Sequence, residues 1–361
     1  MQVVCYENLS EKLATEWAAF LAQADHQHPR QDIRFADIER AEGGQVLFAM
    51  GRESGVLRAV GLFKLNRHKL IPNCYSEALC LSGPVCDDSK HLIDFLDGVA
   101  QHPILRRTGQ IKITPYWMAD DAQSLHGTLH EQGWAIADSE TYRQTGWVDI
   151  TPSPDDILAK FSKSARREAR RAGRQDIYLS IIQQENAAQE FLGSLNRLRT
   201  SRKLPPIGKA GFKASFRTIY KTTDTGVLLG AYHADTFVSG LLLYRSRDVA
   251  HGRHFTTEPK VLRELGNLRI APFLWLEGMK WARAHGCTVL DVEGYHAAVD
   301  TNDKMYNIYK YKSEFGLIPI IRLAEHKRRT NRFLDLTGNG KTMLKSYLKG
   351  KTQKYRLGVA S

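Results

Sequence analysis

Three observations predict an α+β (α/β layered) chain of two similar units, each a mixed sheet flanked by helices. The chain has 361 residues, about two domains' worth. Its composition, 42% hydrophobic and 25% charged, is that of a globular protein. An order of strand, turn, strand, helix and strand runs through the chain twice, without visible identity between the halves.

In the first half, QVLFAM and GVLRAVGLFKL read as strands joined by the GRES turn. SKHLIDFLDGVA carries apolar residues at helical spacing. QIKITPYW is a short strand stopped by Pro115, and DDAQSLHGTLHEQGW is a helix with acids at its start and Gly133 near its end. TGWVDI is the next strand, and TPSP marks a boundary. PSPDDILAKFSKSARREARRAGR then reads as one helix, with Ser153 as N-cap and Pro154 in its first position. Leu158, Phe161, Ala165, Ala169 and Ala172 form its apolar stripe, so its arginines belong to an anchored helix.

The second half repeats the plan. AAQEFLGSLNRLRTSRK and KASFRTIYKTT are helices, and GVLLGAYH, FVSGLLLYRS and DVAHGRHFTTE are strands. IAPFLWLEGMKWARAHG is a long helix, CTVLDVEG a buried strand ending in Glu293, and IPIIRL the last strand, after YKYKSEFG. The expected divisions are 1–150, 151–325 with a basic helix at 154–174, and a basic tail at 326–361.

Charge is concentrated in two places. Residues 161–174 hold six Lys or Arg around one acid, Glu168, and residues 326–361 hold ten against Asp335 alone. The remainder of a chain with net charge +12 is therefore near neutral. No apolar run approaches the ~20 residues of a membrane span, and the start lacks a secretory signal pattern. The five cysteines are odd in number and without metal-like spacing, which suits a reduced cytoplasm and predicts no metal. P-loop, dinucleotide, HExxH and GxSxG motifs are absent.

Four stretches in order, WVDITPSPDDILAKFSKSARREARRA, LRTSRKLPP, LWLEGMKWARAHGCTVLDVEG and YKYKSEFG, resemble the Fem-type (FemABX-like) peptidyl transferases of the GNAT acyltransferase superfamily. LSGPV and IKITPYW in the first half are also similar to that family. The resemblance implies two tandem GNAT-like domains beside a cleft, and transfer of an aminoacyl or acyl group onto an amine to form an amide. It implies aminoacyl-tRNA or acyl-CoA as co-substrate, with no bound cofactor. The acceptor would be an anionic small molecule or a nucleotide-linked amine such as a peptidoglycan precursor.

The candidate site residues follow from these motifs. Lys312 stands where the family's signature lysine stands and would stabilise developing negative charge; a surface lysine is the plainer reading. If YKYK is a strand, Lys310 faces the same side, and Tyr311 lies between them. Glu293 closes a central strand, where it would take or relay the amine proton, or serve as a cap or ion-pair partner. Tyr295 and His296 follow it as candidate pocket lining. Arg202 matches a family arginine suited to a phosphate or carboxylate, and His254 lies with His251 and Arg253 on a polar strand face. For a donor phosphate the candidates are Arg263 and Gly266 in RELGNL, and Arg166, Arg167 and Arg170 of the basic helix. Leu268 stands where acetyl-CoA-dependent relatives carry a small residue. Lys341, Lys345 and Lys349 recur every four residues, so 341–356 suits tRNA or the inner face of a membrane, or is a solubilising tail. Two other functions stand beside aminoacyl transfer: an acyl-CoA-dependent N-acyltransferase, and a non-catalytic module that binds RNA or anionic surfaces.

Overall fold

A computed structural model describes residues 1–137, 144–221, 225–297, 300–302 and 306–338. The basic segment 341–356 lies outside these residues. Two mixed sheets organise the chain. The first has eight strands and runs Gln2–Tyr6, Gln45–Glu53, Val56–Arg67, Tyr75–Cys80, Thr108–Ile113, His326–Arg329, Ala135–Ile136, with Val85–Cys86 paired to Val56–Arg67. The second has seven and runs Ile318–Ile321, Gln144–Asp149, Val289–Asp291, Val249–Thr257, Thr236–Ser246, Gly226–His233, Ile177–Ile181.

The sheets divide the chain differently from the expected boundaries. Gln144–Asp149, assigned above to the first unit, is a strand of the second sheet. His326–Arg329, assigned to the tail, crosses back to pair with Thr108–Ile113, and the helix Arg332–Gly338 follows it. On this strand His326 is buried, while Arg329 is exposed and reaches Asp335.

Each sheet contains one parallel pair among antiparallel neighbours: Tyr75–Cys80 with Thr108–Ile113, and Val249–Thr257 with Val289–Asp291. In the second pair the register ends at His251 opposite Asp291, and the strands part beyond it. The carboxyl ends of both pairs open on one cavity between the units.

The expected single helix over 152–174 is two helices, Pro154–Lys160 and Lys163–Ala172. Phe161 is extended between them and Ser162 caps the second, its Oγ accepting from the Ala165 N–H at 3.1 Å. Arg166 donates to the Ala159 and Phe161 carbonyls at 2.6 and 2.7 Å, satisfying the open end of the first helix. The stripe of Leu158, Phe161, Ala165, Ala169 and Ala172 is buried as its spacing predicts. The stretch YKYK is not a strand but the helix Tyr306–Ser313.

One apolar core spans both units. Trp17, Leu21, Phe35 and Phe48 of the first pack with Phe191, Leu195, Phe212, Leu242 and Tyr244 of the second. The units are therefore joined by buried hydrophobic surface, and the cavity between them has fixed walls.

Candidate active site

The cavity measures about 450 Å³ and is lined by Arg30, Ser82 and Thr114 of the first unit, by Arg253, Glu293 and Lys312 of the second, and by Arg322. Each side chain is placed by a local feature of the chain. Asp291 is fully buried and accepts from Tyr116 Oη at 2.7 Å, from Thr145 Oγ1, and from the Glu293 N–H at 2.7 Å. The last bond turns the chain out of the sheet. Glu293 and Gly294 both take positive φ, +46° and +51°. Lys312 Nζ donates to the carbonyls of Glu293 and Gly294, so the lysine holds the turn that presents Glu293. Arg253 is the extra residue of a bulge, since Leu242 pairs with His254 and Leu243 with Gly252. A bulge re-aims the side chain it releases, here into the cavity.

Glu293 Oε1 lies 3.3 Å from His28 Nε2 and 3.9 Å from His251 Nδ1, while Oε2 has no partner among the described residues. His28 Nδ1 accepts the Arg30 N–H at 3.1 Å, so neutral His28 carries its hydrogen on Nε2 and donates it to Glu293. Burial would raise the Glu293 carboxyl, but the His28 hydrogen bond, with Arg253 and Arg30 nearby, holds it well below the usual range. Burial, then His251, pushes His28 well below its usual value. His28, His251 and Glu293 lie close enough to share a metal ion. They do not suit one, because the His28 nitrogen facing the centre bears hydrogen in place of a lone pair, and Arg30 and Arg253 crowd the same carboxylate.

The guanidinium groups of Arg30 and Arg253 have no hydrogen bond or ion pair among the described residues. Their mutual repulsion, with burial second, lowers Arg30 to about 10. Burial lowers Lys312 to about 8. A second cavity of about 570 Å³ adjoins the first through Arg30, Leu81 and Arg253, and it reaches Arg199, His254, Lys64, Glu39 and Glu42.

Of the residues expected from sequence, Lys312 and Glu293 meet in the first cavity and His254 lines the second. Tyr295 is buried and packs edge-on to Tyr309, which itself lines the cavity, and His296 lies beside the same ring. Tyr311 packs between Phe255 and Phe315 in the second unit's core. Lys310 is exposed, because residues two apart on a helix point nearly opposite ways. Arg202 is exposed at the end of the helix Glu185–Ser201, outside both cavities; Arg199, one turn earlier, is the arginine that reaches one. His28, Arg30 and His251 complete the site. The cluster HQHPR held the first two, without a periodicity to mark it.

The donor-phosphate candidates form a separate region. Arg263 is exposed, and the N–H groups of Gly266, Asn267 and Leu268 all donate to carbonyls of Leu262 or Arg263. The next one, of Arg269, faces Glu168 Oε2 at 3.5 Å. Glu168 is buried and paired with Arg167 and Arg171, and Arg171 also donates to the Gly266 carbonyl at 2.8 Å. Arg166 closes the helix break described above, which leaves Arg167 and Arg170 as exposed cations of the group.

Residues 159–312 match the family model of the acetyltransferase (GNAT) domain. The C-terminal unit has the GNAT fold. The whole chain has a tandem GNAT fold. It is similar to the crystal structure of FemX, at TM-score 0.77 and 14% identity over 92% of this chain and 98% of that one. It is also similar to the C-terminal domain of a putative lysylphosphatidylglycerol synthetase from Agrobacterium fabrum, at TM-score 0.55 and 13% identity over 92% and 96%. A tandem GNAT protein from the clavulanic acid biosynthesis pathway gives 0.53 and 12% over 91% and 98%. No curated protein matches the chain in sequence. The cavity sits at the parting of the parallel strands, and the loop 266–270 leads into the helix Ala271–Ala284. Among the described residues no helix is long and apolar enough to cross a membrane.

Proposed function

We propose that this chain is an aminoacyltransferase that moves an aminoacyl group from aminoacyl-tRNA onto the amine of an anionic acceptor. The observation that carries the reading is Glu293: a carboxylate with one oxygen held by His28 and the other without a partner among the described residues, in a cavity walled by Arg30, Arg253, Lys312 and Arg322. An amine arrives as its ammonium and must lose a proton before it attacks. Glu293 takes that proton. The amine nitrogen then bonds to the ester carbonyl carbon, the ester C–O bond breaks, and the second proton shed by that nitrogen goes to the departing ribose oxygen. Lys312, or a guanidinium beside it, stabilises the negative charge on the carbonyl oxygen between these steps. Arg30 and Arg253, whose guanidinium groups have no partner among the described residues and repel one another, suit a phosphate or carboxylate on the acceptor, as in a nucleotide-linked peptidoglycan precursor.

Glu168 supports a tRNA donor over acyl-CoA. A pyrophosphate needs free N–H groups, and in the loop before the helix Ala271–Ala284 those of Gly266, Asn267 and Leu268 are met by loop carbonyls and that of Arg269 by Glu168. An incoming pyrophosphate would also face the charge of Glu168. The exposed cations of the same helix are suited to the backbone of a nucleic acid. A tRNA donor would place the reaction in the cytoplasm.

The test offers purified protein a mixed pool of labelled aminoacyl-tRNAs and, separately, acyl-CoAs, with a cell-extract amine pool as acceptor. Label leaving tRNA for an amide product is the expected result. Thiol release from acyl-CoA with no transfer from tRNA would overturn the donor assignment.

A further inference from the structure

The two histidines behind Glu293 come from different units. His28 precedes a 3-10 turn of the first unit, and His251 lies on the strand Val249–Thr257 of the second. Both are essentially buried, at 2% and 0% exposure, with ring centroids 4.3 Å apart. Each has its outer nitrogen tied to a neighbour. The Arg30 N–H meets His28 Nδ1, and Ser246 Oγ lies 3.1 Å from His251 Nε2. If the serine hydroxyl donates, His251 carries its hydrogen on Nδ1, aimed at the same oxygen that His28 holds. That Nδ1 is buried and otherwise without a hydrogen-bond partner, 3.9 Å from Glu293 Oε1. A buried N–H without an acceptor is costly, and a small movement of Glu293 on binding substrate would supply one.

We infer that His28 and the Ser246–His251 pair are positioning residues that fix Glu293 Oε1 from both units and leave Oε2 free for the amine proton. This rests on the reading of Glu293 as the base. The site is then complete only when the two units are docked, because the base stands on one unit and its first donor on the other. The charged and titratable groups around Glu293 are His28 and Arg30 from the first unit, Tyr244, His251, Arg253 and His254 from the strands of the second, Lys312 from the helix Tyr306–Ser313, and Arg322 across the cavity. His28 is the neighbour that hydrogen-bonds the carboxylate directly.

One test uses transfer rate against pH, from the same tRNA pool, for the parent, His28→Leu, His28→Gln, Ser246→Ala and Ser246→Thr. Removing the His28 donor should move the acid limb of the profile upward and cut the neutral-pH rate about tenfold or more, the worth of one hydrogen bond to a charged group. His28→Gln, which keeps an N–H at similar reach, should recover most of that loss. Ser246→Ala should give a smaller change of the same kind, recovered by threonine. A parent without transfer from either donor would sink the aminoacyltransferase reading. An active parent whose limb stays unmoved in a folded His28→Leu protein would sink the positioning role alone. A second test needs no substrate. Nitrogen NMR of the ¹⁵N-histidine-labelled protein should show His28 neutral with its hydrogen on Nε2 from pH 5 to 8. A His28 that titrates normally, or carries its hydrogen on Nδ1, would overturn the assignment.

Discussion

Lys312 and Lys310 are two residues apart, yet one ties down the turn at Glu293 and the other stands in solvent. YKYK invites a period of two, and a helix makes it about 200° of rotation. Lys312 remained legible through its motif, and Glu293 through its place at a strand end. Arg199 did not, because a motif marks a helix end more reliably than it marks which turn reaches a cavity. Arg253 reads in sequence only as a member of a polar strand face; nothing in its neighbours shows the bulge that turns it inward. Two predictions belong at this scale. Burial holds Lys312 at about 8, so its ammonium is complete below that pH and lost as pH rises through it. Transfer should decline above about pH 8, and Lys312→Arg, charged throughout, should remove the decline while keeping a donor to the turn. A rate–pH profile of both proteins checks this. Glu293 lies well below the carboxylate range, so the parent should show no acid limb between pH 5 and 7; a limb in that window would mean another group is the base.

At the scale of elements, the motif YKYKSEFG is one device with several duties. Tyr309 and Lys312, a turn apart, face the cavity, and Phe315 is buried against Phe161 and Trp275. The Glu314 carbonyl accepts from the Ser162 N–H at 2.8 Å, which seats the arginine helix at its break. Gly316 has φ +69°, and an added Cβ would stand 2.7 Å from the Lys160 carbonyl. Gly316→Ala should therefore destabilise by more than the ~1 kcal/mol that a compatible glycine site gains from alanine. A denaturant midpoint that rises would contradict it. The break in the arginine helix was not legible, because the apolar stripe runs in phase across Phe161 and Ser162 with Ser162 hidden as an ordinary polar position. Glu168 is the acid that the surrounding arginines need, and it is buried. Glu168→Gln leaves Arg171 without its carboxylate, and because Arg171 is partly exposed and keeps its bonds to the Leu265 and Gly266 carbonyls the substitution should cost only about 1 kcal/mol. It should not create an acyl-CoA site, because the loop N–H groups stay bonded to loop carbonyls. Urea unfolding and acyl-CoA binding by calorimetry would test the two halves of that statement.

For the whole molecule, the doubled order of elements was visible because hairpins and amphipathic helices leave strong local patterns. The division into sheets was not, because pairing is long-range. His326–Arg329 reads as a basic tail, and only its partner strand reveals it as part of the first sheet. The apolar core shared by Trp17, Phe48, Phe191 and Phe212 makes the two units a single cooperative body. One calorimetric unfolding transition is expected, and Phe191→Ala should lower its midpoint without splitting it, at a cost of about 3–5 kcal/mol. Two separate transitions in the parent would mean the units are independently stable and the site between them is not fixed. The central claim is that a carboxylate in this fixed cavity removes the amine proton during aminoacyl transfer. The direct measurement is the rate at which label moves from aminoacyl-tRNA into an amide, for the parent and for Glu293→Gln with its fold verified by circular dichroism. A fall of about 10²–10⁴-fold, the usual worth of a general base, is the predicted result. Equal rates would contradict it and leave Glu293 as a strut of the turn that Lys312 holds.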